Sequence, residues 1–167
     1  MTSPRANVPP VEARNVLGSL TDAAIFLVVT IDPGGEPAVR NLLPDLAGLQ
    51  RSVGFRLPAA MLSCVTGIGP DAWDRLFAGP RPASLHPFRE IAGERYRAPS
   101  TPGDLLFHLR AGQLDLCFEL ASQITRRLAG AATVVVEVHR VLRRGAAAFR
   151  RRGKRRQPIA PIPASFL

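Results

Sequence analysis

The chain predicts an α+β fold in which strands and helices alternate around a single sheet. Three observations carry the prediction. Apolar runs of strand length lie at residues 23–32, 62–68, 104–110 and 131–138, stretches with apolar residues at helical spacing lie between them, and glycine or proline stands at most junctions. The 167 residues suit one domain of about 130 residues with extensions, enough for a hydrophobic core.

Residues 1–18 carry Pro4, Pro9, Pro10 and Gly18 without periodicity and are expected to form a flexible leader. Residues 23–32 place Ile25, Leu27, Val29 and Ile31 on one face and Phe26 and Val28 on the other, the pattern of a strand covered on both sides. The sequence DPGGEP breaks that strand. Val39, Leu42, Leu43, Leu46, Leu49 and Val53 then recur at helical spacing, with Glu36 and Pro37 as first-turn residues. Pro44 removes a helical hydrogen bond, so a kink there, or a helix that starts there, is expected.

Residues 62–68 form the second strand, ending in Gly67 and Gly69, and residues 71–77 a short helix with the single tryptophan, Trp73. Residues 78–103, with Pro80, Pro82, Pro87, Pro99 and Pro102, form a connection long enough to be functional or packed against something else. In residues 104–110, Leu105, Phe107 and Leu109 alternate with Leu106, His108 and Arg110, giving a third strand with one polar-leaning face. Leu114, Cys117, Phe118, Ala121, Ile124 and Leu128 make a helical stripe closed by Gly130, and residues 131–138 are the fourth strand.

This order is that of a ferredoxin-like α+β sandwich, a four-stranded antiparallel sheet with helices on one face. In such a domain the second face should be wet, yet Phe26, Val28, Leu106 and the run Val134, Val135 and Val136 leave it apolar. A second domain or a second subunit is expected to cover it.

The formal charge of +9 lies wholly in residues 140–167, which hold eight arginines and Lys154 but no acid; the preceding residues balance 13 arginines against 13 acids. This split argues against a basic nucleic-acid-binding domain as the folded part. No apolar run reaches the length of a membrane helix, and the N-terminus lacks the layout of a signal peptide, so a cytoplasmic protein is expected. Cys64 and Cys117 sit in apolar stretches without metal spacing and are expected to be buried thiols.

Five blocks in order, GIGPDAWDRLF, PRPASLHPF, TPGDLLFHLRA, DLCFELASQI and VVVEVH, resemble the N-terminal half of the bacterial dye-decolourising (DyP-type) haem peroxidases, close to their B subgroup. The resemblance runs from about Gly18 to His139 and implies two ferredoxin-like domains per full chain, with haem b and hydrogen peroxide used to oxidise dyes, phenolics or metal ions. In that family the distal acid stands in a G-x-x-D-G motif beyond the E-V-H block, a distal arginine follows, and the iron-ligating histidine lies in the second domain. Residues 140–167 read RVLRRGAAAFRRRGKRRQPIAPIPASFL and match none of these.

Translation in an alternative frame of a GC-rich gene is the favoured account of residues 140–167; a genuine polybasic segment binding nucleic acid or another polyanion, and an inert disordered end, are the others. Domain boundaries are therefore expected at 1–18, 19–139 and 140–167.

His86, between prolines, is expected to bond locally, His108 to make a polar contact at a sheet edge or domain interface, and His139 to end the last strand. Their spacing suits no metal. Asp71 and Asp74 flank Trp73 at a helix start, where capping is expected, and Gly67 and Gly69 lack a dinucleotide-binding continuation and suit a tight turn. RNA binding by the folded part is disfavoured: Phe26 and Phe107 are its plausible strand aromatics, and they lack the glycine and basic pattern of such modules. No catalytic, cofactor-binding or metal-binding residue is assigned. The expectation is a peroxidase half that, without the missing groups, neither binds haem stoichiometrically nor turns over peroxide, and that self-associates through its apolar sheet face.

Overall fold

The computed structural model describes residues 18 and 20–142. The leader expected over 1–18 and the tail expected over 140–167 therefore lie largely outside the described residues.

Four long strands, β1 (Ala23–Ile31), β2 (Ser63–Ile68), β5 (Leu105–Ala111) and β6 (Ala132–Val141), form one sheet in the order β2-β5-β1-β6, every neighbouring pair antiparallel. Helices α1 (Glu36–Gly54) and α3 (Leu114–Arg127) pack against each other, α3 lying over β1 and β5, and a short α2 (Pro70–Leu76) contacts α1. This is the expected ferredoxin-like α+β fold. A two-stranded hairpin, β3 (Ile91–Ala92) with β4 (Arg97–Ala98), lies in the long connection and was not foreseen. No helix among the described residues is long and apolar enough to cross a membrane.

β1 is the centre of the core. Its alternation buries Ala23, Ile25, Leu27, Val29 and Ile31 on the helix side, where they meet Leu105, Phe107 and Leu109 of β5 and Val39, Leu42, Leu120 and Ile124 of the helices. The buried stripe of α3 is Leu116, Cys117, Leu120, Ala121 and Ile124, whereas Phe118 of the expected stripe is 54% exposed. The reason is angular. From Cys117, the positions three, four and seven residues on share its face, and Phe118 is turned 100° away.

Two glycines hold the ends of the helices. A Cβ on Gly35, the residue before α1, would lie 1.9 Å from the Ala131 carbonyl oxygen, so only glycine lets the turn pass beneath β6. Gly130, after α3, takes a φ of +72°, the left-handed conformation expected of a helix-ending glycine. Pro44 neither starts nor ends α1, which runs unbroken through it from Glu36. The proline faces solvent, where water can satisfy the Arg40 carbonyl that loses its helical partner. On the open side of the helix pair, Arg127 Nη1 meets Asp45 Oδ2 at 2.6 Å.

β6 continues two residues past His139, Arg140 pairing with Ala24 and Val141 with Ala23, and the Leu142 amide donates to the Asp22 carbonyl at 2.6 Å. The strand carries a bulge. Val28 faces Val136 and Val29 faces Val134, leaving Val135 as the extra residue.

Candidate functional site

The sheet face away from the helices is the region with the chemistry of a contact surface. Strand register arranges it in rows. Val65, His108, Phe26 and Val138 form the middle row, Gly67, Leu106, Val28 and Val136 a second, and Ser63, Arg110, Ala24 and Arg140 a third. Two rows are thus almost wholly apolar, with arginines at one end. The face has no covering layer among the described residues, and Leu106, Val136 and Val138 are 38%, 37% and 36% exposed.

His108 lies on a central strand, between β2 and β1, so the expected place at a sheet edge is corrected: β5 is enclosed because two non-local pairings flank it. Its ring stacks on Phe26, centroids 4.2 Å apart and planes 12° from parallel. Burial, and then the neighbouring Arg110 charge, lower its pKa, which favours the neutral imidazole on this face. Arg110 is buried, and its Nη1 donates to the Gly18 carbonyl at 3.4 Å, which fixes where the chain enters the sheet. Phe107 points into the core and is fully buried, so of the two strand aromatics only Phe26 is on the open face.

At the other end of the face an apolar hollow of about 230 Å³ is lined by Val28, Gly67, Ile68, Gly69, Gly103, Asp104, Leu105 and Leu106. A charged node closes the core behind it. Arg75 of α2 reaches Glu36 Oε1 at 2.7 Å, Asp104 Oδ2 at 3.3 Å and the Ile31 carbonyl at 3.1 Å. Asp104 Oδ2 also accepts from the Ile31 amide at 2.6 Å. Backbone hydrogen bonding, and then Arg75, hold the Glu36 carboxyl below its ordinary range. The node ties together β1, α1, α2 and the start of β5, and sequence reasoning missed it because its members are scattered along the chain.

The remaining candidates have structural places. His86 Nδ1 lies 3.1 Å from the Pro87 carbonyl oxygen in the exposed connection, a local contact as expected, and His139 contacts Glu137 on β6 rather than ending the strand. Capping by Asp71 and Asp74 is not what the structure has. Gly69 precedes α2 and no side chain caps it; Asp71 stands in the first turn, and Asp74 pairs with Arg81, Nε to Oδ1 3.2 Å. Gly69 does form the turn into α2, but Gly67 lies within β2. The Trp73 indole tilts over Phe77, centroids 4.7 Å apart. Cys117 is fully buried as expected, burial pushing its thiol up to about 11, whereas Cys64 is only half-buried, on the strand β2 rather than within the core, and its thiol is raised for the same reason; both are free.

A second concavity, of about 570 Å³, lies at the start of α3 between Leu114, Asp115, Leu116, Phe118 and Glu119. Neither concavity is lined by a histidine or a thiol, and no group of three potential metal ligands occurs among the described residues.

Comparison with known proteins gives the face its context. Residues 14–140 match the family model described as Dyp-type peroxidase, N-terminal. A dye-decolorizing peroxidase of Rhodococcus erythropolis is 64% identical over 130 residues, covering 78% of this chain and 38% of that protein. Among solved structures, the encapsulated DyP-type peroxidase of Mycobacterium smegmatis is 62% identical with a TM-score of 0.73, over 75% of this chain and 40% of that one. A Rhodococcus jostii DypB variant in complex with heme is 46% identical with a TM-score of 0.71, over 75% of this chain and 41% of that one. The chain thus spans about two fifths of the length of these relatives. With the family fold, the matched blocks and this degree of identity together, the chain belongs to the Dyp-type peroxidase family and corresponds to its N-terminal part.

Proposed function

We propose that this chain is the N-terminal, ferredoxin-like half of a haem peroxidase, and that its open sheet face is where the remainder of such a protein docks. The observation that carries the proposal is the pair of apolar rows, Val65, Phe26 and Val138 beside Leu106, Val28 and Val136, with no layer over them among the described residues. A domain of this size rarely leaves so continuous an apolar face to water. In the complete enzyme, haem b would react with hydrogen peroxide and pass oxidising equivalents to dyes, phenolics or metal ions. This chain's own residues contribute a rigid wall to that enzyme. The Phe26–His108 stack stands at the middle of the wall, and Arg110 fixes the chain entry at its basic end.

Alone, the chain does not hold haem stoichiometrically and does not turn over peroxide. This is supported by the places of its histidines, in a loop, in a ring stack and on an edge strand, none of them lining either concavity described above. The test is the purified protein mixed with haemin. No Soret shift and no peroxide-dependent dye oxidation above free haemin are expected, and a stoichiometric Soret band with such activity would overturn the proposal.

The charge of residues 140–167 favours a second role, binding of nucleic acid or another polyanion through that segment. Affinity should then fall steeply between low and moderate salt. A chain ending at Leu142 that still binds would eliminate this role.

A further inference from the structure

Gly67 sits inside β2, opposite Leu106 on the open face. Glycine in a strand interior weakens it, through lost chain entropy and a missing side chain, so such a residue has a reason. Backbone geometry is not the reason, because the positive-φ glycines of the described chain are Gly34 and Gly130. Packing inside the domain is not the reason either. A Cβ at Gly67 would meet the Leu106 Cβ at 3.6 Å, an ordinary contact, and Val65 already occupies the same face two residues earlier.

The two neighbouring glycines behave differently. A Cβ on Gly69 would fall 2.9 Å from the Gly103 carbonyl oxygen, a backbone atom, and one on Gly103 would fall 2.6 Å from Val28 Cγ1 and have to displace that side chain, so the domain's own packing opposes a side chain at both. Gly67 alone of the three leaves room that the domain does not use. That room is the hollow bounded by Val28, Ile68, Leu105 and Leu106, whose rim carboxylate, Asp104, is already engaged by the Ile31 amide and Arg75. Its walls suit an apolar occupant.

We infer that the hollow over Gly67 seats a bulky apolar side chain from the remainder of the full-length protein, and that glycine is kept at this position to admit it. The inference rests on the docking role proposed for the open face, and on the larger share of its relatives' length, beyond the 38% matched in Rhodococcus erythropolis, that this chain does not span.

The test compares one substitution in two settings, read by thermal denaturation. Gly67→Val is made in this 167-residue chain and in a full-length chimaera in which residues 14–140 replace the matched segment of the Rhodococcus erythropolis relative. In the chain alone, valine adds a strand-forming residue to an open position, and the melting temperature should rise by roughly 2–5 °C. In the chimaera it should overfill the contact and lower the melting temperature by roughly 3 °C or more. Gly67→Ala should show the same opposition of sign at smaller amplitude, and serves if valine prevents folding.

A rise in both settings means that nothing enters the hollow, and a fall in both means that the domain itself requires the glycine; either overturns the inference while leaving docking intact. A chimaera with Gly67 in place that fails to melt cooperatively overturns the docking role and this inference with it. Reduced self-association of the isolated chain, with the chimaera unaffected, assigns the hollow to a second copy and overturns the occupant named here.

Discussion

On the helix side of the sheet Ile25, Leu27, Phe107 and Leu109 are at most 1% exposed, while one residue along the same strands Phe26, Val28 and Leu106 look outward, Leu106 at 38%. The two faces are written in nearly the same alphabet, and only one of them is a finished core. Apolar alternation on both sides of a strand records what the strand was selected to touch, including layers that lie beyond the folded unit in hand. The difference should appear directly in stability. Phe107→Ala should lose about 3–5 kcal/mol, because it empties a site closed on all sides, whereas Val138→Ser on the open face should change stability by less than about 0.5 kcal/mol. Urea denaturation of the two variants checks this, and equal losses would mean that the open face is already buried.

A sharper comparison lies at the seam between the faces. Arg75 is about a third exposed, yet its guanidinium joins Glu36, Asp104 and the Ile31 carbonyl. Arg75→Ala should cost about 1 kcal/mol once solvent screening is allowed for, well below the core variant and above the open-face one. Denaturant midpoints order the three.

The smallest effect is that of pH. His108 has a folded pKa below the ordinary imidazole value of 6.5, so protonation favours the unfolded chain; its contribution is fully present above 6.5 and is lost as pH falls toward the folded value. Glu36 acts in the same direction at lower pH, its contribution being present above the ordinary carboxyl value of 4.5 and lost as pH falls through its depressed one. His108→Phe should therefore remove the upper part of the acid destabilisation and leave the lower part. A melting-temperature profile between pH 7 and pH 3 checks it, and an unchanged upper limb would show that the ring stack does not set it.

Much of this was legible in the sequence, for physical reasons. β1 and β5 announce themselves because a two-residue period repeats over a full strand, and Gly130 marks the end of α3 because only a left-handed residue closes the turn there. The apolar second face was readable from Phe26, Val28 and Leu106. Three features were not. The β3–β4 hairpin has two residues per strand, too few to show a period. Pro44 signalled a kink or a helix start, and the start is excluded: α1 begins at Glu36, its first turns held by Val39, Leu42 and their packing, which a local signal does not weigh. The Arg75 node and the central position of His108 depend on which strands become neighbours, a property of topology. Gly67 was visible as a glycine; that the domain does not need it emerged only when a Cβ could be placed beside Leu106.

The central claim, that the open face is an unfinished contact, is tested most directly by sedimentation of the purified chain over a range of concentration, beside a Val138→Arg variant. Self-association of the chain that rises with concentration, and its loss in the variant without loss of fold, is the predicted result. A clean monomer for the unmodified chain at high concentration would contradict it.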